Sequence, residues 1–96
     1  LEIKVGEKQL VDIDGDRIIV LRLDDGFYAI GEKCTHENVS LSDGTIDNGE
    51  IECSKHGARF DIKSGDVRAF PAVQPLRTYR VSQDNNNLVI YLPVKE

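Results

Sequence analysis

The chain has 96 residues, with 12 Lys and Arg against 17 Asp and Glu, and a formal net charge of −5. This length allows one domain, and an acidic balance without a run of basic residues argues against a nucleic-acid partner. No apolar run approaches the ~20 residues of a membrane helix and no secretory signal is visible, so we expect a soluble cytoplasmic domain with no membrane partner.

The predicted elements are short β-strands separated by turns. Val and Ile together number 18, against 12 for Leu and Ala, which favours strands over helices. Dipeptides such as Asp14-Gly15, Asp25-Gly26 and Asn48-Gly49 are typical of tight turns. Between the turns lie nine β-type segments: Glu2–Val5, Leu10–Ile13, Arg17–Leu23, Phe27–Ile30, Glu50–Cys53, Ala58–Ile62, Asp66–Phe70, Leu76–Val81 and Leu88–Leu92. We predict an all-β fold, an antiparallel sandwich or small barrel without a substantial helix.

The middle of the chain differs from its flanks. Residues 1–33 and 72–96 contain the longer strand patterns, whereas both Cys and both His lie between residues 34 and 71. We therefore expect residues 1–96 to form a single domain. Its strand-rich base would comprise residues 1–33 and 72–96, and a loop-rich subdomain, about 34–71, would be inserted into that base.

Two short motifs hold all the Cys and His of the chain. Cys34-Thr35-His36 is followed, after sixteen residues, by Cys53-Ser54-Lys55-His56. Thiolates and imidazoles bind transition metals. Two loops that each supply one Cys and one His could therefore face each other across a metal centre. The candidate metal and cofactor ligands are therefore Cys34, His36, Cys53 and His56.

Other interpretations stay open at this point. A Cys34–Cys53 disulfide would leave the histidines without a role and would suit an oxidising compartment. His56 could activate a nucleophilic Cys53, although no third orienting group is visible. Zinc binds two Cys and two His, but its motifs usually pair Cys with Cys and His with His. A Rieske [2Fe-2S] cluster has two thiolates on one iron and two imidazoles on the other, which accounts for the mixed pairs.

The ligand motifs, with Gly57 directly after His56, resemble the signature of Rieske ferredoxins. The resemblance implies a small antiparallel β fold with one [2Fe-2S] cluster in an inserted cluster-binding subdomain. It further implies that Cys34 and Cys53 hold the inner iron. His36 and His56 would hold the outer iron near the surface, where the electron leaves.

The resemblance extends from about Phe27 to Tyr91. Ala58–Gly65 is similar to the F-D-x-x-x-G segment of Rieske ferredoxins, and Phe70–Leu76 is similar to the proline-containing loop that covers the cluster. By this resemblance Pro71 shields one side of the cluster from water. The same resemblance implies that Gly44 and Gly57 allow close approach of the backbone.

Four positions depart from the high-potential branch of the family, the Rieske proteins of cytochrome bc complexes. Val39 and Lys55 stand where that branch has a disulfide, and Ala58 and Phe60 stand where it has a Ser and a Tyr. Hydrogen-bond donors near sulfur stabilise the reduced cluster, so their absence lowers the reduction potential. We expect a potential toward the low end of a range of roughly −150 to +300 mV.

A low-potential Rieske protein of this size resembles the ferredoxin component of aromatic-ring dioxygenases. The resemblance implies a monomeric electron carrier that is not itself an enzyme and that acts in aromatic hydrocarbon catabolism. It would take single electrons from a flavin-dependent ferredoxin reductase and pass them to a Rieske oxygenase. Four alternatives remain: the Rieske domain of a larger oxygenase, the small Rieske subunit of an assimilatory nitrite reductase, a component of iron–sulfur assembly or another redox complex, and a non-redox zinc module with two Cys and two His.

Overall fold

A computed structural model describes residues 3–35, 38–55, 57–70 and 74–93. The regular secondary structure of these residues is β-strand, apart from one single-turn 3-10 helix. The predicted all-β fold class is confirmed. The elements are β1 Lys8–Ile13, β2 Asp16–Leu23, β3 Gly26–Gly31, a single-turn 3-10 helix Leu41–Asp43, β4 Thr45–Asp47, β5 Glu50–Glu52, β6 Arg59–Asp61, β7 Val67–Ala69, β8 Thr78–Asp84 and β9 Asn87–Tyr91. Within the described ranges one antiparallel sheet has the strand order β1-β2-β3-β8-β9, and a second has the order β4-β5-β6-β7.

Two predicted dipeptides form the turns of hairpins. Asp14 and Gly15 have φ angles of 52° and 88° between β1 and β2, and Asn48 and Gly49 have φ angles of 51° and 76° between β4 and β5. Two successive residues with positive φ match the twist of antiparallel strands, and Asn, Asp and Gly tolerate this conformation best. In the first turn the Asp12 carboxylate also accepts a hydrogen bond from the Gly15 N–H at 3.0 Å.

The centre of β2 is covered on both faces. Ile18, Ile19, Val20 and Leu21 have no exposed surface, although successive side chains of a strand point to opposite faces. Ile19 and Leu21 belong to a core cluster that also contains Leu41, Ile51, Phe60 and both cysteines. The face of the five-stranded sheet that presents Ile19 and Leu21 therefore supports the region of the candidate ligands.

A close backbone contact requires glycine at the end of the 3-10 helix. A Cβ at Gly44 would lie 2.6 Å from the Glu52 carbonyl oxygen and 3.0 Å from the Leu41 carbonyl oxygen. Neither oxygen belongs to a flexible side chain, so the contact cannot relax without moving the backbone. The expected close approach is confirmed at Gly44 but not at Gly57, where a Cβ would meet none of the described residues within 4 Å.

Three details of the strand prediction are wrong. Residues 3–5 of the predicted strand Glu2–Val5 lie in no strand, and the Ile3 carbonyl instead accepts a hydrogen bond from the Arg22 guanidinium at 3.1 Å. The strand β4 was not predicted because its three residues contain one apolar side chain, Ile46. Leu76 does not begin a strand: its N–H donates to the Gly65 carbonyl at 2.8 Å, and β8 begins two residues later.

No helix in the described ranges is long and apolar enough to cross a membrane.

Candidate metal centre

The first ligand loop, residues 34–39, follows β3. The Cys34 N–H donates to the Val39 carbonyl at 2.8 Å, which closes the loop. Its stem is short: Lys33 and Ser40 form an isolated β-bridge, and residue 41 donates its N–H to the carbonyl of residue 32 at 2.7 Å. His36, the predicted second ligand of this loop, lies outside the described residues.

The second ligand loop, residues 53–58, joins β5 to β6. The Cys53 N–H donates to the Ala58 carbonyl at 2.8 Å, with the same five-residue spacing as the bond from Cys34 to Val39. Gly57 has a φ angle of +73°, which L-residues with a side chain rarely adopt, and its N–H donates to the Cys53 carbonyl at 3.1 Å. His56 lies outside the described residues. The two loops thus present their cysteines at equivalent positions.

Both cysteines are buried in one core. The exposed fractions are 3% for Cys34 and 2% for Cys53, and both belong to the cluster that contains Leu41 and Phe60. Neither thiol is part of a disulfide, which contradicts the disulfide alternative. Two buried thiols at equivalent loop positions fit the donor set for the inner iron of a Rieske cluster.

The described carboxylates do not complete a metal site. In the described part of the chain no group of three or more His, Cys, Asp or Glu side chains comes together to hold a metal ion. The chain has two imidazoles, at His36 and His56, each inside one of the two loops. In a centre with mixed thiolate and imidazole ligands, His36 and His56 are the imidazoles that this chain itself has to offer.

The positions that depart from the high-potential branch have apolar or exposed side chains. Ala58 and Phe60 have no exposed surface, and neither side chain can donate a hydrogen bond to sulfur. Val39 packs against the core cluster, whereas Lys55 is exposed. Ala58 and Phe60 thus lie in the same buried core as the cysteines and supply no hydroxyl donor to it.

A hydrogen bond links the first ligand loop to the segment before β8. The Thr35 hydroxyl donates to the Gln74 carbonyl at 2.6 Å. Pro71, the residue expected to shield the cluster, lies outside the described residues, while the neighbouring Phe70 is 82% exposed. This contact could not be predicted from the sequence, because the donor and the acceptor lie 39 residues apart in the chain.

Ion pairs surround the two loops. The hydrogen bond from Arg17 lowers the pKa of Glu32, whereas burial acts in the opposite direction. Arg59 is paired with Glu50 at 2.8 Å and with Glu52 at 3.0 Å, and the hydrogen bond to Glu50 raises the pKa of Arg59. None of these pairs is predictable from the sequence, because the spacing of the charged residues along the chain does not show which of them meet in the fold.

Comparisons with known proteins agree with this geometry. A family profile described as "Rieske [2Fe-2S] domain" matches residues 1–80. The 3-phenylpropionate/cinnamic acid dioxygenase ferredoxin subunit of Escherichia coli (strain K12) is 37% identical over 91 residues, which cover 93% of this chain and 86% of the relative.

Solved structures give the same result. The ferredoxin of carbazole 1,9a-dioxygenase from Nocardioides aromaticivorans IC177 matches with a TM-score of 0.87 and 37% identity, over 92% of this chain and 86% of that one. A chain from the complex of reduced oxygenase and oxidized ferredoxin in carbazole 1,9a-dioxygenase matches with a TM-score of 0.88 and 31% identity, over 94% and 93% of the two chains. The predicted cofactor, one Rieske-type [2Fe-2S] cluster, is confirmed, and the chain belongs to the Rieske [2Fe-2S] domain family.

Proposed function

We propose that this chain is the ferredoxin component of a ring-hydroxylating dioxygenase system. It takes single electrons from a flavin-dependent ferredoxin reductase and delivers them to a Rieske oxygenase, and it works as a monomer in the cytoplasm. The observation that carries this proposal is the pair of buried thiols, Cys34 and Cys53, at equivalent positions of two loops in one core. Two relatives that are 37% identical to this chain, each covered to 86% of its length, are the ferredoxins of a 3-phenylpropionate/cinnamic acid dioxygenase and of a carbazole 1,9a-dioxygenase.

The proposed ligands are Cys34 and Cys53 on the inner iron and His36 and His56 on the outer iron. When bound, the cluster accepts one electron and gives it up again. The main-chain bonds from Cys34 to Val39 and from Cys53 to Ala58 hold the thiols in place. Buried side chains of the shared core exclude water from them, and the polypeptide performs no bond chemistry.

We also propose that the chain is divided into a base, residues 1–33 and 72–96, and a cluster-binding subdomain, about 34–71. The order of the strands supports this division. The five-stranded sheet draws its strands from residues 8–31 and 78–91, whereas the four-stranded sheet draws its strands from residues 45–69. The second ligand loop, residues 53–58, lies within residues 45–69, and the first, residues 34–39, lies between β3 and the 3-10 helix.

Spectroscopy of the purified protein tests the proposed cofactor and ligands. We expect a red-brown protein that is EPR-silent as purified and gives, after dithionite, a rhombic signal with an average g value below that of clusters with four cysteine ligands. Replacing any one proposed ligand with Ala should abolish this signal. A colourless protein that binds one zinc and no iron under anaerobic purification would overturn the electron-transfer function.

A second experiment tests the partner. The reduced protein, mixed with a purified ring-hydroxylating Rieske oxygenase, should reoxidise as the oxygenase centre becomes reduced. The Cys53→Ala variant is the control and should transfer no electron. A protein with the Rieske signal that reduces a nitrite reductase subunit and no oxygenase would overturn the assignment to a dioxygenase.

A further inference from the structure

Glu32 is a buried carboxylate at the entrance of the first ligand loop. Its exposed fraction is 5%, and no other charged or polar residue in the described ranges is classed as buried. It lies directly after β3 and two residues before Cys34. Burying a charge costs free energy unless the charge is paired and hydrogen-bonded, so the contacts of Glu32 indicate what the burial achieves.

Glu32 connects β2 with both sides of the loop stem, through its side chain and its main chain. Arg17, on β2, donates from Nε to Oε1 at 2.7 Å and from Nη2 to Oε2 at 3.4 Å. Ser40, on the far side of the loop, is the bridge partner of Lys33, and its Oγ accepts from the Ser42 N–H at 3.1 Å. The main chain adds bonds from the Glu32 N–H to the Arg17 carbonyl at 3.1 Å and from the Leu41 N–H to the Glu32 carbonyl at 2.7 Å. Glu32 therefore joins both sides of the loop stem to the five-stranded sheet.

The second ligand loop is held differently. It closes a hairpin in which Glu52 pairs with Arg59, Ile51 with Phe60 and Glu50 with Asp61, so a ladder of strand pairs fixes its stem. The first loop has one isolated bridge in the same place. A stem without a ladder needs another constraint, and the buried carboxylate supplies one.

We propose that Glu32, together with Arg17, is a positioning residue that fixes the first ligand loop, and with it Cys34, relative to the five-stranded sheet. The inference rests on the proposed function only in taking Cys34 as a metal ligand. Glu32→Gln keeps the shape of the side chain but leaves the Arg17 guanidinium without its carboxylate. Arg17→Met leaves the carboxylate buried without its cation.

The test measures metal retention and the spectrum of the bound centre. Iron per chain, the rate of iron loss to a chelator from the oxidised protein, and the EPR line shape after reduction are recorded for wild type, Glu32→Gln, Arg17→Met and the double variant. We expect each single variant to lose iron at least about tenfold faster and to give a broader rhombic signal. The double variant should add little to either, because the two residues act as one unit.

The matched control is Glu52→Gln in the stem of the second loop. Glu52 is 43% exposed, and Arg59 keeps its bond to Glu50 when Glu52 is neutralised. Iron loss from this variant should stay within about twofold of wild type. If Glu32→Gln behaves like Glu52→Gln, with the wild-type line shape and rate of iron loss, the positioning role is overturned.

Two further readouts separate the possible failures. If Glu32→Gln does not fold, the milder Arg17→Lys keeps the positive charge but loses the two-point contact of the guanidinium with the carboxylate. Faster iron loss from this variant supports the proposal, and a wild-type rate overturns it. Failure of the proposed function would appear in wild type itself, as a missing Rieske signal or no electron transfer to an oxygenase. Failure of the positioning role would leave wild type intact and appear in the variants alone.

Discussion

The two sheets of this protein are stabilised in different ways. The strands of the five-stranded sheet have five to eight residues, and its central strand β2 is covered on both faces. Each strand of the four-stranded sheet has three residues. Such short strands form few ladder bonds, so this sheet depends on the core that it shares with the cysteines. The long-stranded sheet can specify its own structure, whereas the short-stranded sheet needs its contacts with the metal site.

The largest effect is expected when the cluster is removed. In Cys53→Ser, which cannot retain a thiolate-bound iron at this position, we expect amide exchange protection of Ile51 and Phe60 to fall at least 100-fold, about 2.7 kcal/mol. Protection of Val20 and Ala29 should change little, because these residues lie in the five-stranded sheet. Exchange measured by NMR on both proteins checks this difference, and an equal loss in both sheets would contradict it.

A hydroxyl group added to the core beside the cysteines should raise the reduction potential, whereas one added to the five-stranded sheet should leave it unchanged. Phe60→Tyr places a donor in the core that contains Cys53, and one hydrogen bond that favours the reduced state by about 1 kcal/mol raises the potential by about 40 mV. Phe27→Tyr is the matched control in β3, where the ring contacts the Arg22 guanidinium at 5.1 Å. Redox titration followed by EPR should show the positive shift for Phe60→Tyr alone. Equal potentials in the two variants would argue against tuning from position 60.

The smallest effect concerns a surface contact between the two regions. Asp25, in the turn before β3, is paired with Lys63, which follows β6, and accepts a hydrogen bond from the Tyr28 hydroxyl at 3.0 Å. The bond from Lys63, followed by that from Tyr28, lowers the pKa of Asp25. A lowered carboxyl pKa stabilises the fold above the pKa of the unfolded chain, and this stabilisation is lost as the pH falls through the folded value.

Asp25→Asn should therefore lower the urea midpoint slightly at pH 7. The difference from wild type should shrink at high salt and as the pH is lowered, because both changes weaken the pair. Asp24→Asn, at the neighbouring position of the same turn, is the control and should leave the midpoint unchanged. A difference that persists at low pH would show that the Asp25 charge is not its cause.

Structural features that depend on neighbouring residues could be predicted from the sequence, whereas features that depend on the pairing of distant strands could not. Asn48-Gly49 and the continuous apolar residues of β2 determine local structure, so the hairpin turn and the buried strand could be recognised. The strand Thr45–Asp47 forms because it pairs with β5, and three residues are too few for a detectable alternation. The Glu32–Arg17 pair depends on how the end of β3 lies beside the start of β2. That arrangement is a property of the folded sheet, and no spacing between charges reveals it.

The double burial of β2 has a consequence for the register of the sheet. A slip of β2 by one residue would exchange Ile19 and Leu21 for Ile18 and Val20 on the face toward the metal site. All four side chains are apolar, so burial alone would oppose such a slip only weakly. The turn at Asp14 and Gly15 fixes the pairing of Ile13 with Asp16 and thereby decides which residues face the cysteines. The choice of register, and with it the surface offered to the metal site, therefore depends on the turn between β1 and β2, which lies outside both ligand loops.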